Sequence, residues 1–196
     1  MHPTFIGIAG GSGAGKSTLC FGLMEKHPSD IGMIQLDDYF KPADQVPAML
    51  GYTNYDHPDA LDFARLDADL SQLAGGHAVT IRTRNEKLNP DYKKTKQKIA
   101  FDFVPKKIML IEGFLALFDE RIRSYMATTI WLEADHSIRW NRRVHFKNPG
   151  YDQDVLLPMH EQFVVPTRVH AQHHLCVTSL SASEVLKSVE EMIFNI

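Results

Sequence analysis

The chain has 196 residues, of which 44% are hydrophobic and 23% charged, so it can bury a core of its own and is not a disordered polymer. The formal net charge of −3 lacks the basic excess that is typical of nucleic-acid-binding proteins, so no nucleic-acid partner is expected. No apolar run approaches the length of a membrane span and no signal peptide is evident, so we expect one cytoplasmic domain, residues 1–196, without a membrane partner.

The first third of the chain alternates predicted strands with predicted helices. Residues 4–9 are a short apolar run that ends in glycines, which predicts a buried strand. Residues 17–26 carry leucines at helical spacing, and residues 31–36 predict a second strand that ends at two aspartates. Residues 41–59 are rich in Pro, Asp, Gly and Tyr and predict a loop, whereas residues 61–73 predict a helix closed by two glycines.

The middle of the chain predicts a hairpin and two further buried strands. Residues 78–82 and 99–104 are strand-like segments around a basic loop, so we expect a hairpin-like excursion over about residues 78–104. Residues 107–111 and 128–132 are apolar runs of strand length.

The last third predicts helices around one variable connection. A helix after Asp135 carries arginines at i, i+3 and i+4, which predicts that they share one face: Arg139, Arg142 and Arg143. Residues 147–158 contain two prolines, a glycine and an asparagine, which predicts a mobile connection. A further helix over 160–169, a short strand over 175–178 and a closing helix over 181–195 complete the pattern.

This alternation of strands and helices predicts an α/β fold, with a mostly parallel sheet and helices on both faces. Ligands of such sheets bind outside the carboxyl ends of the strands. A glycine-rich loop, Asp37 and Glu112 each follow a predicted strand, so these groups could converge in one site.

The glycine-rich loop reads GGSGAGKST over residues 10–18, and its first eight residues match the pattern of a phosphate-binding P-loop. Glycines let backbone amides turn inward around a phosphate, and the helix that follows adds the positive end of its dipole. Because the motif follows an apolar strand and opens a helix, phosphate binding is favoured over a plain flexible turn. The nucleotide-binding candidates are Gly10, Gly11, Ser12, Gly13, Ala14, Gly15, Lys16, Ser17 and Thr18.

Individual residues of this loop have predicted roles. Lys16 would reach the β- and γ-phosphates of a nucleotide, and Ser17 would ligate Mg²⁺. Thr18 would lie deeper, near the α-phosphate.

Acidic residues at two strand ends are candidates for the chemistry. Phosphoryl transfer often uses a carboxylate that takes the proton of the acceptor hydroxyl. Asp37 is the candidate base and Asp38 the alternative, since one residue of register decides which side chain faces the site; a polar cap is the structural alternative. Glu112 follows an apolar strand and is a candidate for holding magnesium, directly or through water.

These motifs together resemble the uridine kinase family of P-loop kinases. The resemblance covers most of residues 4–170, in the order of the family, and NYDHPDALD is its most specific string. The strings that carry it are GGSGAGKST (10–18), LDDYFKP (36–42), NYDHPDALD (54–62), IEGFLALFD (111–119), EADHSIRWNRRV (133–144) and FVVPTR (163–168). The resemblance implies a P-loop NTPase fold and a kinase that uses ATP and Mg²⁺ to phosphorylate a hydroxyl of a ribonucleoside or a similar ribosyl small molecule.

The resemblance also implies roles for single residues. Asp37 would be the catalytic base, and Glu112 would join Ser17 at the magnesium. Asp56 would accept hydrogen bonds from ribose hydroxyls, and Arg139 would help to hold that sugar. Arg142 would stabilise charge on the transferring phosphoryl group, at the start of a lid over about residues 140–158 that closes over ATP.

The acceptor is less well defined by the sequence. Residues 89–98 read NPDYKKTKQK and lack the Asp, His and Arg with which uridine kinases read a pyrimidine, although Tyr92 is a candidate stacking ring. The lysines are either solvated or attract an acidic or phosphorylated substrate. The Asp-Asp pair with Tyr39 and the stretch over 148–159 are also similar to nicotinamide riboside kinases, so Asp38 and Tyr39 are further substrate-binding candidates.

Alternatives to a nucleoside kinase remain open from the sequence. Within kinases they are nicotinamide riboside, pantothenate and phosphoribulose-type acceptors, and a more distant one is a P-loop NTPase regulator. The oligomeric state is not predicted. Cys20 and Cys176 are too few for a disulfide framework and are expected as reduced thiols in apolar surroundings.

Overall fold

The computed structural model of the protein describes residues 2–85, 87–143 and 148–194. Its strands are β1 (Thr4–Ala9), β2 (Ile31–Gln35), β3 (Ala48–Met49), β4 (Tyr52–Thr53), β5 (Val79–Thr83), β6 (Ile99–Phe103), β7 (Ile108–Glu112), β8 (Met126–Glu133) and β9 (His173–Cys176). Its α-helices are α1 (Lys16–Lys26), α2 (Phe63–Ala74), α3 (Tyr92–Thr95), α4 (Glu120–Tyr125), α5 (His136–Arg142), α6 (Pro149–Tyr151), α7 (Leu157–Met159) and α8 (Ala182–Phe194). Shorter 3₁₀ and π turns occupy Leu36–Tyr39, Ala43–Gln45, Pro58–Ala60, Asp152–Leu156, His160–Val164 and Val165–His170.

A five-stranded parallel sheet organises these residues in the order β2-β7-β1-β8-β9. The central strands β1 and β7 are buried over almost their whole length and are apolar except for Thr4 and Glu112 at their ends, as expected for a sheet that is covered on both faces. The predicted α/β fold with a mostly parallel sheet is therefore confirmed. Because the strands run parallel, the groups that follow β1, β2 and β7 meet at one edge.

Two hydrophobic layers cover the two faces of the sheet. Alternate residues of β1 point to opposite sides, so that Ile6 and Ile8 pack with α1 and α8 while Phe5 and Ala9 pack with α2 and α4. The helix stripes anticipated from the leucine spacing are buried as expected: Leu19 and Leu23 on α1, and Leu66, Leu70 and Leu73 on α2. Helices therefore lie on both faces of the sheet.

The β5–β6 hairpin projects from the edge of this core. Its strands pair antiparallel from Val79↔Phe103 to Thr83↔Ile99. Alternate residues Val79 and Ile81 are buried in the layer that contains α2, while Arg82 is exposed. The hairpin is thus held by its apolar face, and its inner end at Thr83 lies beside the turn that follows β2.

Residues 149–170 form a continuous run of helical turns, so residues 149–158 are helical where the sequence predicted a connection. Asn148 accepts a hydrogen bond from the Tyr151 amide at 3.1 Å, and Pro149 takes the first helical position, where no amide donor is needed. Val155 and Leu156 are buried in a small cluster of their own with Tyr151 and Met159, and Met49 and Tyr52 pack against this cluster. Residues 144–147 of the predicted lid lie outside the described residues.

Two expectations from composition have different outcomes. Cys20 is buried, but Cys176 is exposed, so the expectation of apolar surroundings is wrong for Cys176; the reason is that β9 is an edge strand of the sheet. Within the described ranges, no helix combines the length and apolar character needed to cross a membrane.

Candidate active site

The loop between β1 and α1 has the backbone of a phosphate cradle. Gly13 and Gly15 adopt φ of 84° and 93°, and α1 begins at Lys16 without a side-chain cap at Gly15. The first amides of α1 therefore need a partner, and an anion can supply it. A Cβ built on Gly15 would meet nothing within 4 Å, so the cradle is open on that side. Its donors and its space fit the phosphates of a nucleotide.

Lys16 lies folded over this loop. Its ammonium donates to the Gly10 carbonyl at 3.0 Å and to the Gly11 carbonyl at 3.1 Å. Burial lowers the pKa of Lys16, and the nearby carboxylates of Glu112 and Asp37 oppose that shift. The charge of Lys16 is thus poorly hydrated and free to exchange carbonyl partners for phosphate oxygens.

Ser17 and Glu112, the two predicted magnesium residues, are in direct contact. The Ser17 hydroxyl donates to Oε1 of Glu112 at 2.8 Å, and Nε2 of Gln35 donates to the same oxygen at 3.0 Å. Burial raises the pKa of Glu112, while Lys16 holds it down. An all-oxygen donor pair of this kind, next to a phosphate cradle, fits a hard divalent cation such as Mg²⁺.

Asp37 and Asp38 face different partners, although they are adjacent in the 3₁₀ turn after β2. Asp37 lies on the cleft and forms an ion pair with Arg84. Asp38 is 3% exposed and accepts hydrogen bonds from the Thr83 hydroxyl at 2.7 Å and from the Arg84 amide at 2.8 Å. Asp38 therefore anchors the hairpin, whereas the side chain of Asp37 is 37% exposed.

Asp56 is held by a partner that the sequence did not indicate. The Tyr151 hydroxyl donates to Oδ2 of Asp56 at 2.7 Å, and the Tyr151 ring packs edge-on against Tyr52 at 5.5 Å. Burial raises the pKa of Asp56, and the hydrogen bond from Tyr151 opposes that shift. The helical run that begins at Pro149 thus reaches back to this carboxylate.

Two of the predicted substrate-binding residues do not lie in the cleft. Tyr39 is 2% exposed in the core, and its hydroxyl donates to Asp69 at 2.9 Å. Arg139 is 5% exposed and donates to the carbonyls of Ala134 at 3.1 Å and Ser12 at 3.5 Å, so it supports the P-loop from behind. The structure therefore corrects both assignments, because each side chain is used inside the fold.

The three arginines around the end of α5 do not share a face, contrary to prediction. The helix ends at Arg142, so Arg143 leaves the helical register. Arg142 donates to the carbonyls of Val177 at 3.0 Å and Thr178 at 3.4 Å, whereas Arg143 pairs with Asp152 at 3.2 Å. Of the three, Arg142 and Arg143 line the cleft.

One cleft of ≈ 1620 Å³ joins most of the predicted site. Thr18, which was predicted to lie deeper, is exposed at the surface of the cleft. Gly10 and Gly11 are not among the residues that line the cleft, and their carbonyls accept hydrogen bonds from Lys16. The predicted residues that line the cleft are Ser12, Gly13, Ala14, Gly15, Lys16, Ser17, Thr18, Asp37, Asp38, Asp56, Tyr92, Glu112 and Arg142.

Sequence reasoning missed several residues of this cleft. Arg65, Arg82 and Arg84 line it near the hairpin, and Val177 and Leu180 line it at the end next to Arg142. The basic composition of the loop over 84–98 was the available signal for the hairpin side. Nothing local marks the loop before α8, in which the carbonyls of Val177 and Thr178 accept hydrogen bonds from Arg142.

Comparisons with known proteins agree with this arrangement. Residues 5–171 match the model of the Phosphoribulokinase / Uridine kinase family. A uridine kinase of Brevibacillus brevis is 35% identical over 182 residues, which cover 87% of this chain and 83% of that protein. A uridine kinase of Staphylococcus aureus is 35% identical over 183 residues, with 86% and 84% covered.

Solved structures show the same fold. A structure from Bacillus stearothermophilus, described as a possible uridine kinase, aligns with a TM-score of 0.63 at 15% identity and covers 89% of each chain. A phosphoribulokinase from Rhodobacter spheroides aligns with a TM-score of 0.63 at 12% identity, covering 89% of this chain and 70% of that one. At such identities the likeness concerns the fold alone.

Proposed function

The chain belongs to the phosphoribulokinase/uridine kinase family, and on that premise we propose that it is a kinase that transfers the γ-phosphate of ATP to a hydroxyl of a ribonucleoside or similar ribosyl compound. The observation that carries this proposal is the convergence in one cleft of the P-loop, the Ser17–Glu112 pair and Asp37. The relatives are uridine kinases, which favours a nucleoside over a pantothenate- or phosphoribulose-type acceptor and over a regulatory NTPase.

The nucleotide would lie with its phosphates on the P-loop. The amides of residues 13–17 would donate to them, and Lys16 would turn from the carbonyls of Gly10 and Gly11 to the transferred phosphate. Ser17 and Glu112 would hold Mg²⁺, which when bound neutralises the charge that develops on the phosphates. Arg142, at the far wall of the cleft, would be a second source of positive charge.

Asp37 is the residue that would take the proton of the acceptor. The acceptor oxygen attacks the γ-phosphorus, its proton passes to the Asp37 carboxylate, and ADP leaves. The ion pair with Arg84 fixes the orientation of that carboxylate before the acceptor arrives. Asp38 does not compete for this role, since both of its oxygens are occupied by the hairpin.

Asp56 would hold the sugar. Its Oδ2 is taken by Tyr151, and within the described part of the chain Oδ1 makes no hydrogen bond. A carboxylate oxygen with that freedom can accept from the vicinal hydroxyls of a ribose. Tyr92, which lines the hairpin side of the same cleft, would stack on a base.

The Asp37→Asn variant tests this assignment. It keeps the shape of the side chain but removes the proton acceptor, so ADP release in the presence of uridine should fall by about 10²–10⁴-fold. Binding of ATP, measured by calorimetry, should change little. Asp44→Asn, an exposed position of the same segment outside the cleft, is the matched control and should behave as the wild type. Undiminished turnover in Asp37→Asn would remove Asp37 from the role of base.

A further inference from the structure

One side of the cleft carries an excess of positive charge. Five basic side chains line it on the side of the β5–β6 hairpin and of α2, and we call them the cationic wall: Arg65, Arg82, Arg84, Lys96 and Lys98. Arg82 and Arg84 belong to the outgoing strand of the hairpin and its end, and Lys96 and Lys98 precede the returning strand. The wall is therefore built by one supersecondary unit and its neighbouring helix.

Only part of this charge is balanced. Arg84 pairs with Asp37, and Arg65 lies 3.9 Å from Asp69. The other three cations, as far as the described residues go, make no ion pair with a carboxylate. A cation at the edge of a cleft without such a partner attracts anions from solution.

The contacts of those three cations are neutral ones. Arg82 donates to the Lys98 carbonyl at 3.0 Å, and Lys98 donates to the Asp38 carbonyl at 3.1 Å. The Lys96 ammonium lies 5.7 Å from the centre of the Tyr92 ring. Burial lowers the pKa of Lys98, with Asp38 acting in the opposite direction. The charge on this side chain is thus only partly solvated, and an anion placed beside it would restore what burial removes.

The wall serves the acceptor side of the cleft and not the nucleotide side. It starts at Arg84, which contacts Asp37, the proposed base, whereas the phosphates of ATP belong to Lys16 and the P-loop amides. Resting on the proposed kinase function, we propose that the acceptor carries a carboxylate or phosphate in addition to its reacting hydroxyl, and that Arg82, Lys96 and Lys98 hold this anion. An acceptor with a cationic pyridinium ring is disfavoured by the same charges.

Binding measurements with matched probes test this inference. Uridine and orotidine differ by one carboxylate, and D-ribulose and D-ribulose 5-phosphate differ by one phosphate. Each would be titrated into the protein by calorimetry with Mg²⁺ and a non-hydrolysable ATP analogue at saturation, so that the P-loop is already filled. We expect the anionic member of one pair to bind at least about tenfold more tightly, with a preference that shrinks as salt is added. A preference in the uridine–orotidine pair identifies the anion as a carboxylate, and a preference in the ribulose pair identifies it as a phosphate.

A double variant assigns the preference to the wall. Arg82→Gln with Lys96→Gln removes two exposed charges and should abolish the preference for the anionic probe. Lys94→Gln, exposed on α3 and outside the cleft, is the matched control and should keep it. Arg82→Gln alone, with thermal unfolding of every variant, guards against a folding defect. Equal affinities within both pairs, no binding of either anionic probe, or a preference that survives in the double variant would overturn the inference.

The same probes separate this inference from the proposed function. ADP release with uridine together with equal affinities for uridine and orotidine would leave the kinase function intact and reject the anionic acceptor. Tighter binding of an anionic probe without ADP release from any acceptor would reject the kinase function and leave the cationic wall as an anion site.

Discussion

At the scale of single residues, Tyr151 is a positioning residue that reaches the site from a distant part of the chain. Its hydroxyl donates to Asp56 at 2.7 Å, and this bond opposes the rise in the pKa of Asp56 that burial causes. The bond holds the Asp56 carboxyl in place at the cleft and favours its ionised form, which is the form that accepts hydrogen bonds from ribose hydroxyls.

The Tyr151→Phe variant should therefore weaken binding of the acceptor. The ring packing against Tyr52 is retained, but a hydrogen bond to a charged group is lost, so the KM for uridine should rise by about tenfold. The KM for ATP should stay as in the wild type, because Tyr151 is not part of the P-loop. Tyr125→Phe is the matched control, since it removes a 2.9 Å bond to Asp67 elsewhere in the fold. Equal acceptor KM values in both variants would contradict the role of Tyr151.

At the scale of elements, the P-loop is shaped by the helix behind it. Arg139 of α5 supports the loop through its side chain and also through its backbone, because the Arg139 carbonyl lies 2.3 Å from where a Cβ on Gly13 would stand. The close approach of α5 leaves no room for a side chain there. The loop conformation is thus a property of two packed elements as well as of its own glycines.

The Gly13→Ala variant measures that contact. Gly13 and Gly51 have nearly the same φ, 84° and 82°, but a Cβ on Gly51 meets nothing within 4 Å. In Gly51→Ala the free energy of unfolding should fall by about 1 kcal/mol, which is the cost of a left-handed backbone for a residue with a Cβ. In Gly13→Ala it should fall by roughly 1–3 kcal/mol more, because the Cβ also meets α5, and ATP should bind more weakly. Thermal unfolding with and without an ATP analogue makes the comparison. Matching losses in the two variants would show that α5 does not constrain the loop.

At the scale of the whole molecule, His160 links the helical run over 149–170 to the P-loop and makes stability depend on pH. The Cε1 atom of His160 lies 2.9 Å from a Cβ built on Gly11, so the ring is packed directly against the loop. Burial lowers the pKa of His160 to about 4, and the charges of Arg139, Lys16 and His136 act in the same direction. The pKa of His160 is thus lower in the folded state than its ordinary value of 6.5. The neutral ring therefore contributes its full stability above pH 6.5, and this contribution is lost as the pH falls from 6.5 towards 4.

The stability curve of a His160→Gln variant should therefore differ from that of the wild type. Between pH 7 and pH 5 the unfolding free energy of the wild type should fall by about 2 kcal/mol relative to the variant, because the unfolded histidine takes up a proton that the folded one does not. Buried carboxyls with raised pKa values, such as Glu112, act in the opposite direction but are common to both proteins. Urea unfolding at both pH values measures the difference. His170→Gln, an exposed position, should follow the wild type, and parallel curves for His160→Gln and wild type would contradict the prediction.

Local signals in the sequence predicted the main strands and helices of the sheet and marked the P-loop. The β1–loop–α1 unit, the alternation that produces a parallel sheet and the β5–β6 hairpin each depend on neighbouring residues, whose periodicity and glycines are read directly. The topology of a parallel sheet then brings Asp37 and Glu112 to the edge where the P-loop lies, since their strands flank one another.

Outside the P-loop and the two strand ends, tertiary packing alone decided which side chains face the cleft. Arg84 meets Asp37 across 47 positions of the chain, and Tyr151 meets Asp56 across 95, so no local pattern could pair them. In the same way, the motifs predicted Tyr39 and Arg139 as site residues, but both side chains are buried. Tyr39 packs in the core, and Arg139 contacts the P-loop from the side of α5. The physical reason is that secondary structure follows from short-range backbone and side-chain preferences, whereas the direction and charge environment of a side chain depend on which distant elements pack against it.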